Sequence, residues 1–145
     1  MAIFWAGLIC GTMDITAALV VYGHYGLLPI RLLQGIAAGF LGPRSYEGGI
    51  ATAALGLLCH YFIAYSATAV YFAASRATSI LIEHFLGFGA LYGIAVYYFM
   101  QLVVIPLSGA TRRPFSLKLM IIGVVIHIFC VGLPIATAIR HFSVR

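Results

Sequence analysis

The sequence predicts an all-α membrane protein: a polytopic four-helix bundle with a short amphipathic or re-entrant helix between its first and second long helices. Three observations carry that expectation. The chain has 145 residues, is 63% hydrophobic and only 8% charged, and has a mean hydropathy of +1.10. A soluble domain carries about 25% charged residues, so too little charge is present to cover a surface facing water. The apolar residues fall in four runs, each near the roughly 20 residues that a helix needs to cross a bilayer. Finally, the basic residues sit between these runs or at their ends, where membrane topology requires them. Lipid offers no partners to backbone groups, so such runs are helices and not strands.

The runs cover residues 2–22, 48–75, 85–105 and 117–139, and the whole chain, 1–145, reads as a single transmembrane domain. The first run lacks a basic leader and carries Asp14, and Ile9 is a poor match to a lipoprotein cleavage site ahead of Cys10. It reads as a retained helix rather than a signal peptide. Residues 29–41 form the short helix. Pro29 suits a helix start and Gly42 a helix stop, and about a dozen residues cannot cross a membrane. Arg31, Gln34 and Ala38 share one face of it, and Ile30, Leu33, Ile36, Ala37, Phe40 and Leu41 cover much of the rest, a pattern for an interfacial or re-entrant segment. The third run is expected to stop at Pro106. The fourth begins near Leu117, after Ser116 as candidate N-cap.

Net charge is +5, yet no basic stripe interleaved with aromatics appears, so nucleic acid is not an expected partner; the lipid bilayer is, and a homo-oligomer is compatible. Loops one and three hold Arg31, Arg44, Arg112, Arg113 and Lys118, against Arg76, Arg140 and Arg145 in the second loop and C-terminus. This excess places the termini outside. Cys10, Cys59 and Cys130 all lie inside apolar runs. An odd count there argues against a disulfide framework.

Asp14, His60 and His127 are the polar residues that lipid tolerates least. Each lies near the middle of a different run, where an ionisable group costs about 2.5 kcal/mol or more. Each also lies on a stripe of small residues at spacings of three and four: Gly7, Gly11 and Ala18 in the first run, Gly49, Ala53, Gly56 and Ala64 in the second, Gly123 and Cys130 in the fourth. Small residues at this spacing let helices approach closely. Gly7, Gly11, Gly49, Gly56 and Gly123 are therefore the expected packing glycines, and the trio is expected to point inward. Gln101 and Tyr97, one turn apart on the third run, are further candidates for a polar core or proton relay.

Several segments, in this order, resemble a family of small bacterial inner-membrane proteins that has no assigned activity. They are Gly11-Thr12-Met13-Asp14, Leu33-Gln34-Gly35-Ile36-Ala37-Ala38-Gly39, Ala54-Leu55-Gly56-Leu57 with His60, Tyr92-Gly93 with Tyr97, Pro106-Leu107-Ser108, Arg113-Pro114-Phe115-Ser116, and His127 through Val131-Gly132-Leu133-Pro134. The resemblance implies a four-helix, multi-pass protein of the bacterial inner membrane with Asp14, His60 and His127 at motif positions. It implies no substrate.

Four chemistries fit such a trio. A small transporter or proton-linked protein would use Asp14 as a proton site, since burial favours a neutral carboxyl and histidine titrates near neutral pH. A structural module would use the trio to fix helix pairing. Haem could be ligated by His60 and His127 on facing helices. A metal site would add Asp14 and cysteines, but no Cys-x-x-Cys pair is present, so no metal is expected. His24, His84, His141, Glu47, Glu83 and Arg44 lie near run ends and read as solvated loop residues. No nucleophile elbow, zinc-protease motif or phosphate loop appears, so the sequence leans away from an enzyme.

Overall fold

The computed structural model describes residues 1–111 and 114–143. Arg112, Arg113 and Arg145, which enter the loop-charge count, lie outside the described residues. The chain forms α1 (Ala2–His24), α2 (Pro29–Leu41), a 3-10 turn over Gly42–Glu47, α3 (Gly49–Ala77), the short α4 (Ile80–Glu83), α5 (Phe85–Leu107) and α6 (Leu117–Ser143). No strand occurs among the described residues. Helices α1, α3, α5 and α6 are long and apolar enough to cross a membrane. Bulky side chains such as Phe62, Leu102 and Phe129 point outward, 73%, 70% and 60% exposed. An apolar exterior of this extent suits hydrocarbon rather than water.

Local chemistry explains most of the boundaries. Pro29 opens α2 after an extended Leu28, and Gly42 closes it at φ +64. Ser116 caps α6 by accepting from the Leu119 amide at 3.5 Å. The expected stop at Pro106 is corrected: α5 runs through it to Leu107. The reason is a π-helical turn over Met100–Val104, in which the Ile105 amide donates to the Met100 carbonyl. A second π turn, His127–Gly132, precedes Pro134 in the same way, with Leu133 donating to Ile128. Proline lacks an N–H and crowds the carbonyl four residues back. Widening the preceding turn accommodates that carbonyl without breaking the helix.

The long helices pack in the order α3, α1, α6, α5. They differ sharply between their two ends. Toward the chain termini, Ala6 and Cys10 of α1, Ala64 and Tyr71 of α3, and Val131, Ile135, Ala136 and Ile139 of α6 form one core. The α5–α6 seam there is glycine on backbone. A Cβ on Gly132 would strike the Gly89 carbonyl, one on Gly93 the His127 carbonyl, and one on Gly89 would sit 2.9 Å from the Ala136 Cβ. Tyr92 closes this end by donating to the Ala67 carbonyl at 2.7 Å, with its ring 5.0 Å from that of Tyr71. Toward α2 the long helices bury only Ile15, Ala53, Gly56 and Tyr97, and the first turns of α6 bury nothing.

Candidate functional site

The polar trio lies where the closed end meets the open one, but its members do not bond to one another. His60 of α3 reaches across to α1, its Nε2 2.8 Å from the Gly11 carbonyl. A carbonyl only accepts, so Nε2 carries a proton and donates. His127 opens the π turn of α6. Its Nδ1 donates to the Gly123 carbonyl at 2.9 Å, and its ring meets Tyr97 edge-on at 5.3 Å. The two histidines therefore belong to different seams, α1–α3 and α5–α6, with α1 and α6 between them.

Asp14 differs from both. It is half-buried, and among the described residues it makes no hydrogen bond or ion pair. Its carboxyl acts electrostatically on Cys10 of its own helix and on Cys130 of α6. It thus lies within electrostatic range of the π turn that His127 opens. No direct bond joins Asp14 to His60 or His127.

The other candidates separate in the same way. Tyr97 is 8% exposed and covers Gly123, where a Cβ would fall 2.5 Å from its Cε2; Tyr22 of α1 acts on it electrostatically. Gln101 is exposed, within the first π turn. Gly7 faces the Tyr65 ring, Gly11 faces Tyr61 and Ala64, and Gly56 faces the Leu33 carbonyl of α2. Gly49 has a different part from the expected one. Its φ is +57 and a Cβ there would meet nothing within 4 Å, so it serves the turn into α3 rather than packing.

The best-satisfied buried polar group is one that sequence reasoning placed on a face but not at a site. Gln34, 2% exposed, donates to the Gly49 carbonyl at 3.0 Å and accepts from Arg31 at 3.4 Å. Arg31 also donates to the Tyr46 carbonyl at 2.9 Å, and Thr52 to the Ser45 carbonyl at 2.6 Å. This hub fastens α2 and the 3-10 turn to the start of α3. Within it the Ser45 hydroxyl is fully buried and has no partner among the described residues. The shared face of Arg31 and Gln34, three residues apart, was its signal.

Neither histidine offers haem a ready pair. Ligation through His60 Nε2 would break the bond to Gly11, and the two rings lie in separate seams. Among the described residues no three His, Cys, Asp or Glu side chains gather to hold a metal ion. Set against known protein families, curated proteins and solved structures, the chain matches none.

Proposed function

We propose that the chain is a multi-pass protein of the bacterial inner membrane, a small proton-linked transporter or channel-like protein with Asp14 as its proton-binding group. The four long helices are its spans, arranged as a bundle, and α2 lies at or re-enters the interface on the side of loops one and three. One observation carries the reading. The sole carboxylate of the long helices has no donor among the described residues and lies within electrostatic range of a widened turn. It does so at the level where tight packing gives way to loose. A charge left without a partner in hydrocarbon is expensive; a proton or a cation is the partner that removes the cost. π turns often occur at functional sites, where they re-aim side chains and free carbonyls. Packing that is dense on one side of Asp14 and sparse on the other gives access from one face, as a transport cycle requires.

Proteoliposomes enclosing a pH-sensitive dye test this reading. After an external acid step, with the membrane potential clamped by potassium and its ionophore, the parent protein should let the interior acidify. Asp14→Asn should abolish that flux and Asp14→Glu should retain part of it. Equal rates for all three and for empty vesicles would overturn the reading.

A second reading rests on His60. Its bond to Gly11 joins two helices, and the Gln34 hub joins two more elements, as a structural module would. Under it Asp14→Asn changes stability and moves no proton flux.

A further inference from the structure

We propose that the groove between α1 and α6 at the terminal end holds one phospholipid, with an acyl chain along its length and the ester and phosphate oxygens at its outer mouth. The proposal rests on the membrane part of the functional reading and not on Asp14 as a proton site.

The groove has a volume of about 640 Å³, within the roughly 300–1,000 Å³ usual for small-molecule sites. Trp5, Ile9 and Met13 of α1 form one wall, and α6 from Phe129 to Phe142 forms the other. Met13 stands midway along α1 and Phe129 midway along α6, while Trp5 and Phe142 lie close to the terminal ends of their helices. The thirteen residues from Phe129 to Phe142 rise about 20 Å. That is one leaflet of a roughly 30 Å hydrocarbon core together with part of its interface. Trp5, Ile9, Met13 and Phe129 all stay exposed, so the groove opens toward the surrounding lipid.

The inner and outer halves of the groove differ in chemistry. The inner half, at Ile9, Met13, Phe129 and Leu133, is apolar and suits a hydrocarbon chain. The outer half carries three donors, the Trp5 indole N–H, the Thr137 hydroxyl and the His141 ring. None of the three makes a hydrogen bond among the described residues. Thr137 is the most informative. A hydroxyl on a helix in lipid can bond the carbonyl four residues back, as Ser66 does to Phe62 and Thr68 to Ala64. Thr137 makes no such bond, although it is exposed, and hydrocarbon offers it no acceptor. Among the described residues no carboxylate lines the groove, and Arg140 stands beside His141 in the last turn of α6. Free donors and positive charge at the mouth, above an apolar floor, call for a ligand with acceptors and negative charge at one end and hydrocarbon at the other. A phospholipid has both, and Trp5 stands where tryptophan meets the headgroup level.

Native mass spectrometry of the full chain, stripped of lipid in detergent and titrated with phosphatidylglycerol, tests the site. The parent should take up one lipid at low concentration. Trp5→Phe with Thr137→Val keeps the shape of the groove and removes two of its donors; binding should weaken about tenfold. Ala138→Trp fills the groove and should abolish binding; should that variant not fold, the donor pair decides. Leu58→Trp, at a site on α3 that is 69% exposed and outside the groove, should bind as the parent does. Excess inorganic phosphate should not displace the lipid, and displacement would make the mouth a plain anion site instead. Equal affinity in the parent and the donor pair would overturn the proposal. So would a lipid-free dimer that Ala138→Trp returns to monomer, because a second copy would then fill the groove. A chain that is soluble without detergent would remove the membrane reading and the groove with it. Absence of lipid binding beside a normal proton flux would remove the groove alone.

Discussion

The two ends of this molecule use glycine for different purposes, and the difference separates what holds the fold from what can move within it. At the terminal end Gly89, Gly93 and Gly132 bring α5 and α6 together backbone against backbone. No side chain can yield there. At the α2 end Gly56 makes one such contact, with the Leu33 carbonyl of α2, but Gly123 lies under the Tyr97 ring, and Gly26, Gly42 and Gly49 bend the chain. One end is a core shared by three of the long helices; at the other the long helices bury few groups of their own, and α2 with its polar hub supplies most of the packing.

The largest effect should follow from adding a single methyl group at the seam. Gly132→Ala forces the Gly89 carbonyl aside and should cost about 3 kcal/mol, read as a lowered midpoint of thermal unfolding in detergent. Gly123→Ala, on the same helix but against a movable ring, should cost about 1 kcal/mol. Reversal of that order would erase the contrast between the ends. Next comes Gln34→Ala, which strips a buried carbonyl and Arg31 of their partner and should destabilise by about 1–3 kcal/mol. Because the hub holds α2 on α3, proteolysis should then cut first within residues 25–48; equal cleavage elsewhere would show that α2 is held by other means. Smaller still is His60→Phe. It removes one interhelical bond to Gly11, for which an average of about 0.6 kcal/mol is expected, and a melting shift as large as that of Gly132→Ala would mean that His60 is a keystone of the fold.

Much of this arrangement was legible in the residues. Four long apolar helices and the limits of α2, with Pro29 and Gly42 as its punctuation, follow from run length and breaker chemistry. The π turns did not, because a proline in an apolar run signals a stop or a kink with equal force, and only packing decides that Pro106 and Pro134 are bridged. The glycine seam was missed although Gly89 and Gly93 stand four apart. Attention to stripes that contain an ionisable residue passed over the one that does not. The trio of Asp14, His60 and His127 reads as one cluster from depth alone. Depth says nothing of azimuth, and azimuth sends the two histidines into separate seams. Gln34 was visible as a polar face of α2, but its partners lie fifteen and more residues away, beyond the reach of helical periodicity.

The central claim is that Asp14 takes up and releases a proton from one side of the membrane. Infrared difference spectroscopy of the reconstituted protein tests it most directly, by following the carboxyl stretch as pH is stepped across the range in which the fold persists. A band that titrates, shifts on transfer to heavy water and vanishes in Asp14→Asn, while the melting temperature barely moves, is the predicted result. A spectrum that Asp14→Asn leaves unchanged, or a carboxyl that holds one protonation state throughout, would contradict the account.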